Sequence, residues 1–450
     1  MSAPSHDDRS DSHDDSAVPT SVAKAGSAPR PDGSKAPLRV LIAGDTFPPD
    51  VNGAANFTER LAVGLAGRGH DVHIVVPAAT RRHGTFHEEH GDATLTVHRL
   101  NSTRWPLHDW LRFATPWTVQ RNTRPIVDSF APDVVHIQSH IVIGRGLTKV
   151  ARDRGIRVIA TNHFMPDNLV DHAPPMPKKL LDWIARRAWQ DSANTYKHAQ
   201  AVTTPTRKAA GYLEAATGIR GVYAISCGID ASHYVARRDR PKTNRILFVG
   251  RVTAEKNIDV LLKAMTKLPG DLDATLTIVG GGDLLGKLKQ MSADLGLAGR
   301  VTFAGYLSDD ELRQTLTGST VFCMPSTAEL QSIASLEAMA SGLPVVLADA
   351  MALPHLIDEG SNGYLFTPGD ADDLAAKLTA VLTKSDDDYI AMREASLHMI
   401  EPHDINRTLD TFEKLYRGEK VAPKPPTPPR RPPADPRRGA VAQPVRASDS

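Results

Sequence analysis

The sequence predicts an α/β protein of two successive domains, each a parallel sheet doubly wound by helices. Three observations carry this. LRVLIAG at 38–44, a Pro- and Gly-rich loop, a helical stretch over 54–68 and DVHIVVP at 71–77 together form a βαβ unit. The same alternation runs to about residue 230, then starts afresh with RILFVGR at 245–251, beyond a linker rich in Arg, Lys and Pro (235–244). The length of 450 residues is enough for two sizeable cores.

Composition narrows the function classes. With 53 Lys and Arg against 52 Asp and Glu, the formal charge of +1 argues against a general nucleic-acid binder. Cys227 and Cys323 are the only cysteines and both sit in apolar runs, so two buried thiols in a reducing compartment are expected. No apolar run is long enough to span a bilayer. The stretch SHDDRSDSHDDS at 5–16 lacks the basic and apolar regions of a secretory signal, so a cytoplasmic protein is expected.

Taken in order, residues 1–36 are rich in Ser, Asp, Pro and His and read as a disordered tail. The first domain is expected over 37–234. Its opening loop lacks the three spaced glycines of a dinucleotide fingerprint, which weakens a dehydrogenase reading. Asn52-Gly53 stands at the head of the first helix, where a bare backbone can approach a phosphate. Further strands are expected at 95–99, 134–137, 158–161 and 201–204.

Within this domain, residues 174–208 hold seven Lys or Arg against two Asp. Leu181, Ile184, Ala185 and Ala188 form one apolar stripe there, with Trp183, Trp189, Lys178, Lys179, Arg186 and Arg187 close by. Such a helix can lie on an anionic membrane, or its stripe can pack inward as core. RWPLHDWLRF at 104–113 is a second aromatic and basic stretch.

The second domain is expected over 235–400, with strands at 245–249, 274–279, 301–304, 320–324, 344–348 and 363–366 and a helix over 371–382. Beyond 420 the chain becomes PKPPTPPRRPPADPRRG, read as an unstructured tail.

The densest signal is VFCMPSTAELQSIASLEAMASGLPVVL at 321–347. It reads as a strand, a turn, a helix over about 331–340 capped near Gly342, and a second strand. Glu329 and Glu337 are eight residues apart; at helical rise they would span roughly 12 Å on one broad side. That separation suits a ligand with hydroxyls at both ends and an anion between, such as a nucleotide sugar. A plainer reading makes one a helix-dipole glutamate and the other a solvated one. Upstream, Gly250-Arg251 ends a strand and Glu255-Lys256-Asn257 opens the next helix. Open α/β sheets bind ligands at that edge, and the two cations suit a diphosphate.

Taken together, Glu329, Glu337, Ala338, Met339, Ala340, Gly342, Pro344, Val345 and Val346, GRVTAEKN at 250–257 and RLAVGLAGRGHDVHIVVP at 60–77 resemble the retaining family 4 glycosyltransferases of the GT-B fold, among them bacterial glycolipid glycosyltransferases. The resemblance implies two Rossmann-like domains facing each other across a cleft, with a last helix (401–419) crossing back to the first. It implies that Glu329 touches the hexose and Glu337 the ribose, and that Arg251, Lys256 and Gly53 face the diphosphate. Gly281 and Tyr306 fall where the family contacts the nucleotide. Ser332 and Ile333 belong to the segment Leu330-Gln331-Ser332-Ile333, which replaces the family's aromatic and glycine on the donor side. A histidine functional in several members is replaced by Gln138, so either Gln138 or His140 is implied to contact the hexose. His163 resembles a histidine near the acceptor, and His136 reads as structural. Ser226-Cys227-Gly228-Ile229-Asp230 stands where the family often reads Pro-Asn-Gly-Ile-Asp, without a chemical consequence visible in the sequence.

The implied reaction is a retaining hexosyl transfer with Arg251, Lys256, Glu329 and His140 as its catalytic residues. No cofactor and no metal are expected, since Asp271-Leu272-Asp273 reads as a turn. The implied partners are a nucleoside-diphosphate sugar, of UDP-glucose or GDP-mannose type, and a membrane lipid such as a diacylglycerol or phosphatidylinositol glycolipid. The protein would sit peripherally at the inner face of the membrane. Alternatives are a soluble glycan or inositol phosphate acceptor and, more remotely, a non-catalytic nucleotide-sugar binder.

Overall fold

The computed structural model describes residues 35–50, 52–104, 112–163, 177–237 and 239–421. The first half runs β1 (Arg39–Ala43), α1 (Gly53–Gly67), β2 (Asp71–Pro77), β3 (Gly84–His90), β4 (Ala93–Leu100), β5 (Ser102–Arg104), β6 (Arg112–Ala114), α2 (Pro116–Phe130), β7 (Val134–Ile137), α3 (Ile143–Asp153), β8 (Arg157–Thr161), α4 (Lys178–Tyr196), β9 (Ala201–Thr204), α5 (Arg207–Thr217) and β10 (Tyr223–Ala224). Its main sheet has the order β10-β9-β8-β7-β1-β2-β4-β3, all parallel except β3. From Val40 to Ala43 the central strand β1 is apolar and fully buried, as a strand covered by helices on both faces must be.

The second half runs β11 (Arg245–Val249), α6 (Ile258–Met265), β12 (Thr275–Val279), α7 (Leu285–Asp294), β13 (Val301–Gly305), α8 (Asp309–Thr317), β14 (Val321–Met324), α9 (Ile333–Ala340), β15 (Val345–Ala348), β16 (Gly363–Phe366), α10 (Ala371–Leu382), α11 (Asp386–Ile400) and α12 (Ile405–Arg417). Its six parallel strands have the order β13-β12-β11-β14-β15-β16. The strand order therefore reverses at β1 in one sheet and at β11 in the other. The loops after β1 and β11 lie where such sheets bind ligands.

α12 packs on the first half of the chain. Phe412 lies against Phe57 of α1 and against His136 of β7, with ring centroids 6.0 and 4.9 Å apart. Leu409 covers Gly64 so closely that a Cβ there would stand 2.7 Å from its Cδ1. The two crossing segments bond to each other, Ile229 N–H to His403 O (2.8 Å) and Ile405 N–H to Ile229 O (3.1 Å).

Some elements are absent from the sequence reading, for physical reasons. β3, GTFHEEH, is an edge strand with mostly exposed polar residues, so no apolar alternation marks it. α11 buries Arg393 and Ser396 beside Tyr389 and Met392, which breaks the apolar stripe. Arg393 Nη1 donates to Asp239 O at 3.0 Å and Ser396 Oγ to Leu343 O at 2.8 Å.

α4 corrects the reading of 174–208. Trp189 is buried with Ser192 and Tyr196, so it is a core residue and no interface tryptophan. Leu181, Ile184, Ala185 and Ala188 are half-buried, the stripe turned toward the domain. The exposed apolar side chains are Leu180 and Trp183, beside exposed Lys179, Arg186 and Arg187. Residues 1–34, 105–111, 174–176 and 422–450 and the Lys178 side chain lie outside the described residues. Among the described residues no helix is long and apolar enough to cross a membrane.

Candidate active site

Helix α1 assembles the site. The Asn52 side chain caps it by accepting the Ala55 N–H at 2.9 Å. Gly53, Phe57 and Arg60 then fall four and three residues apart, on one face. Gly53 lies against Ile333, whose Cδ1 would be 3.9 Å from an added Cβ. The Phe57 ring meets His163 at 5.0 Å. The Arg60 guanidinium forms an ion pair with Glu337. One helix thus touches Ile333, His163 and Glu337.

Glu329 and Glu337 do not share a helix. Ser332 takes a left-handed φ of +72°, so the chain bends and α9 starts only at Ile333. The 12 Å helical separation expected from the sequence does not apply. Ser332 instead caps α9, its Oγ accepting the Ser335 N–H at 3.3 Å. Glu329, in the preceding loop, forms an ion pair with Lys256, and both side chains are largely buried. Ser326 Oγ (3.2 Å) and Thr327 N–H (3.1 Å) both bond to Glu255 O, which fastens the two loops side by side.

Arg251 Nη2 lies 3.2 Å from Glu255 Oε1, which also accepts the Thr253 hydroxyl at 2.7 Å. Burial opposes the Glu255 charge, but Thr253 and the cations Arg251 and Lys256 hold its pKa below the ordinary value. The neighbouring strand end is backbone packed on backbone. A Cβ at Gly280, where φ is +120°, would stand 2.0 Å from Gly250 O. Gly281 lies under the exposed Tyr306 ring, which a Cβ would approach to 2.9 Å. That ring is a free face for stacking.

On the other side, His163 Nε2 lies 2.9 Å from Gln138 Oε1. Burial lowers the His163 pKa to about 4, so it is a neutral donor at neutral pH. His136 is fixed between Tyr416 Oη and Thr161 Oγ1, each 2.7 Å away, and burial lowers its pKa to about 3. His140 points into a different neighbourhood. It bonds to Ser192 Oγ of α4 at 3.0 Å, meets the Tyr196 ring edge-on at 5.7 Å, and has a pKa lowered to about 4 by burial. The structure joins Gln138 to His163 and leaves His140 against α4.

Three residues escaped the sequence reading. Arg60 belongs to an amphipathic helix where one more arginine carries no signal. Asp45 caps α3, accepting the Ile143 N–H at 3.0 Å, and burial raises its pKa. Gln331 bonds to Cys227 N–H and Ser226 Oγ, both at 2.8 Å, and to His403 at 3.2 Å. Ser226 is thus the partner of Gln331, a consequence that the sequence did not reveal. Thr206 Oγ1 donates to Leu330 O at 2.9 Å, so the loop after Glu329 is anchored to the first half of the chain.

Both cysteines are buried free thiols, and burial pushes Cys227 up to about 12. Asp271 lies within a turn of 3-10 helix (Gly270–Leu272) and Asp273 ends it with φ +43°. Among the described residues no three or more His, Cys, Asp or Glu are gathered as a metal site.

The arrangement gathers two cations, Arg251 and Lys256, beyond the carboxyl end of β11, each against a carboxylate, and leaves the Tyr306 ring exposed. Comparison with known proteins agrees. A profile described as "Glycosyltransferase Family 4" matches residues 51–233, and one described as "Glycosyl transferases group 1" matches 235–398. The chain is 29% identical to a GDP-mannose-dependent alpha-mannosyltransferase of Corynebacterium glutamicum, over 73% of this chain and 76% of that one. It is 28% identical to a sulfoquinovosyl transferase of Arabidopsis thaliana, over 56% of this chain, and the match spans 50% of that relative's length. The fold matches sucrose-phosphate synthase from Thermosynechococcus elongatus with a TM-score of 0.69 at 17% identity, covering 84% of this chain and 98% of that one. The profiles, the paired sheets and the two glutamates meet in one conclusion: the chain is a family 4 glycosyltransferase of the GT-B fold.

Proposed function

We propose that the chain transfers a hexosyl group, with retention, from a nucleoside-diphosphate sugar of GDP-mannose or UDP-glucose type to a membrane lipid such as a diacylglycerol or phosphatidylinositol glycolipid. The observation that carries the donor side is the Lys256–Glu329 pair beside Arg251 at the carboxyl edge of β11. As the bond from the anomeric carbon to the β-phosphate oxygen breaks, negative charge grows on that oxygen. Lys256 and Arg251 face it, while Glu329 holds the hexose and Glu337 the ribose. The acceptor hydroxyl oxygen bonds to the anomeric carbon on the same face, and its proton passes to the departing phosphate. Gln138 and His163 line the acceptor side as neutral hydrogen-bonding groups. Two side-chain cations take the place of a divalent ion on the diphosphate, so the activity is expected to be unchanged in excess chelator. Loss of turnover on chelation, restored by magnesium, contradicts this.

The lipid acceptor is supported by an exposed surface. Trp117 is 82% and Trp183 57% exposed. They lie in the first two turns of α2 and α4, which precede the parallel strands β7 and β9. Both helix starts therefore lie at the carboxyl edge of the first sheet. Exposed Arg121 and Arg124 share a face with Trp117, and Lys179, Arg186 and Arg187 surround Trp183. Tryptophan and cations together favour an anionic membrane surface. The deciding experiment incubates the protein with labelled nucleotide sugars and membrane extract, then separates organic-soluble from water-soluble products. Label in the lipid fraction is expected; label in soluble glycan or inositol phosphate alone overturns the lipid acceptor. Sedimentation with vesicles is expected to rise with anionic lipid content and to fall when Trp117 and Trp183 are both changed to Ala. Binding indifferent to both removes the membrane contact.

A further inference from the structure

Arg60 sits in the middle of α1, and its Nη2 is paired with Glu337 Oε1. Tyr234, in the segment joining the two halves, lies close to both groups. Burial works against the Arg60 charge, but Glu337 and Tyr234 beside it hold its pKa above the ordinary arginine value. The other edge of the guanidinium differs: Nη1 is buried and, among the described residues, has no hydrogen-bond acceptor. Buried N–H groups without an acceptor are rare, and a ligand oxygen is one way to satisfy them. Seven residues earlier on the same helix, Gly53 lies against Ile333, so α1 runs along the nucleotide-side segment from Ile333 to Glu337.

We propose that Arg60 is a nucleotide-binding residue contributed by the first half of the chain. One edge of its guanidinium holds Glu337 charged and oriented, and the other donates to a ribose oxygen of the bound nucleotide. The fork geometry of arginine serves two acceptors at once, which a lysine point charge does not. The inference rests on the reading of this site as a nucleotide-sugar site. It adds to that reading that nucleotide recognition is shared between the halves, since the Arg60–Glu337 pair exists only where α1 and α9 meet.

The test is calorimetric binding of UDP and GDP, and of their 2′-deoxy and 3′-deoxy forms, to the full chain and to Arg60→Gln, Arg60→Lys, Glu337→Gln and Arg60→Gln/Glu337→Gln. Arg60→Gln is expected to weaken the preferred ribonucleotide by about ten- to a hundredfold, the change that one lost charged hydrogen bond produces. The deoxy form that lacks the contacted hydroxyl should lose less, so discrimination between ribose and deoxyribose falls. The double variant should lose less than the sum of the two single losses, because the residues are coupled through their ion pair. Arg60→Lys keeps a cation beside Glu337 and should still lose the discrimination; it carries the test if Arg60→Gln fails to fold. Equal loss for ribose and deoxyribose forms, or no loss, overturns the proposal while leaving the site reading intact. A wild-type chain that binds neither nucleoside diphosphate overturns both.

Discussion

Lys256→Ala is expected to lower turnover by about 10²–10³-fold, with the protein still folded. A single preorganised donor at a developing anion is commonly worth about 3–4 kcal/mol of transition-state stabilisation. Lys256 qualifies because its side chain is held, largely buried, against Glu329 and on a turn that the Glu255 carbonyl ties to residues 326 and 327. Removal of the cation also leaves Glu329 without its ion-pair partner, so the carboxylate that we propose to hold the hexose should lose its orientation. Steady-state kinetics with the cognate donor separate the effects: the main loss should appear in kcat, with a smaller change in donor affinity. Turnover within a few-fold of wild type would remove Lys256 from the chemistry.

The second large effect concerns stability. Phe412→Ala is expected to destabilise the protein by about 3–5 kcal/mol, the range for losing a fully buried aromatic ring. Phe412 is 1% exposed and packs against Phe57, His136 and Tyr416. The cavity would open directly behind Phe57 of α1, the helix that also carries Gly53 and Arg60. Denaturant unfolding followed by far-UV circular dichroism reads the loss as a lowered midpoint. A shift worth less than about 1 kcal/mol would mean that α12 is only loosely docked.

The fold was legible because strands buried on both faces advertise themselves as unbroken apolar runs. RVLIA and VFCM are found as β1 and β14 where the pattern put them. β3 and α11 were not legible, since the first is polar at a sheet edge and the second buries an arginine that bonds to backbone carbonyls. At the site, Lys256 and Glu329 were both visible in sequence; their pairing was not, because it depends on how two loops are laced together. The helical spacing assumed for Glu329 and Glu337 failed at Ser332, a residue that gives no composition signal for a left-handed backbone. Trp189 was misread because a tryptophan near lysines looks alike at a membrane and in a core; only its neighbours in space decide. Arg60 and Gln331 were missed for a related reason: their partners lie 277 and more than 70 residues away, respectively.

The tether made by Gln331 constrains how this enzyme can diversify. Its carboxamide links the loop that follows Glu329 to Ser226, Cys227 and His403, where the chain passes from one half to the other and back. Residues 330–333, which we propose line the sugar pocket, are thus also part of a joint. A substitution there is expected to disturb the joint as well as any sugar selectivity. New sugar selectivity in this lineage should therefore arise through paired changes, one beside Glu329 and one near 226 or 403.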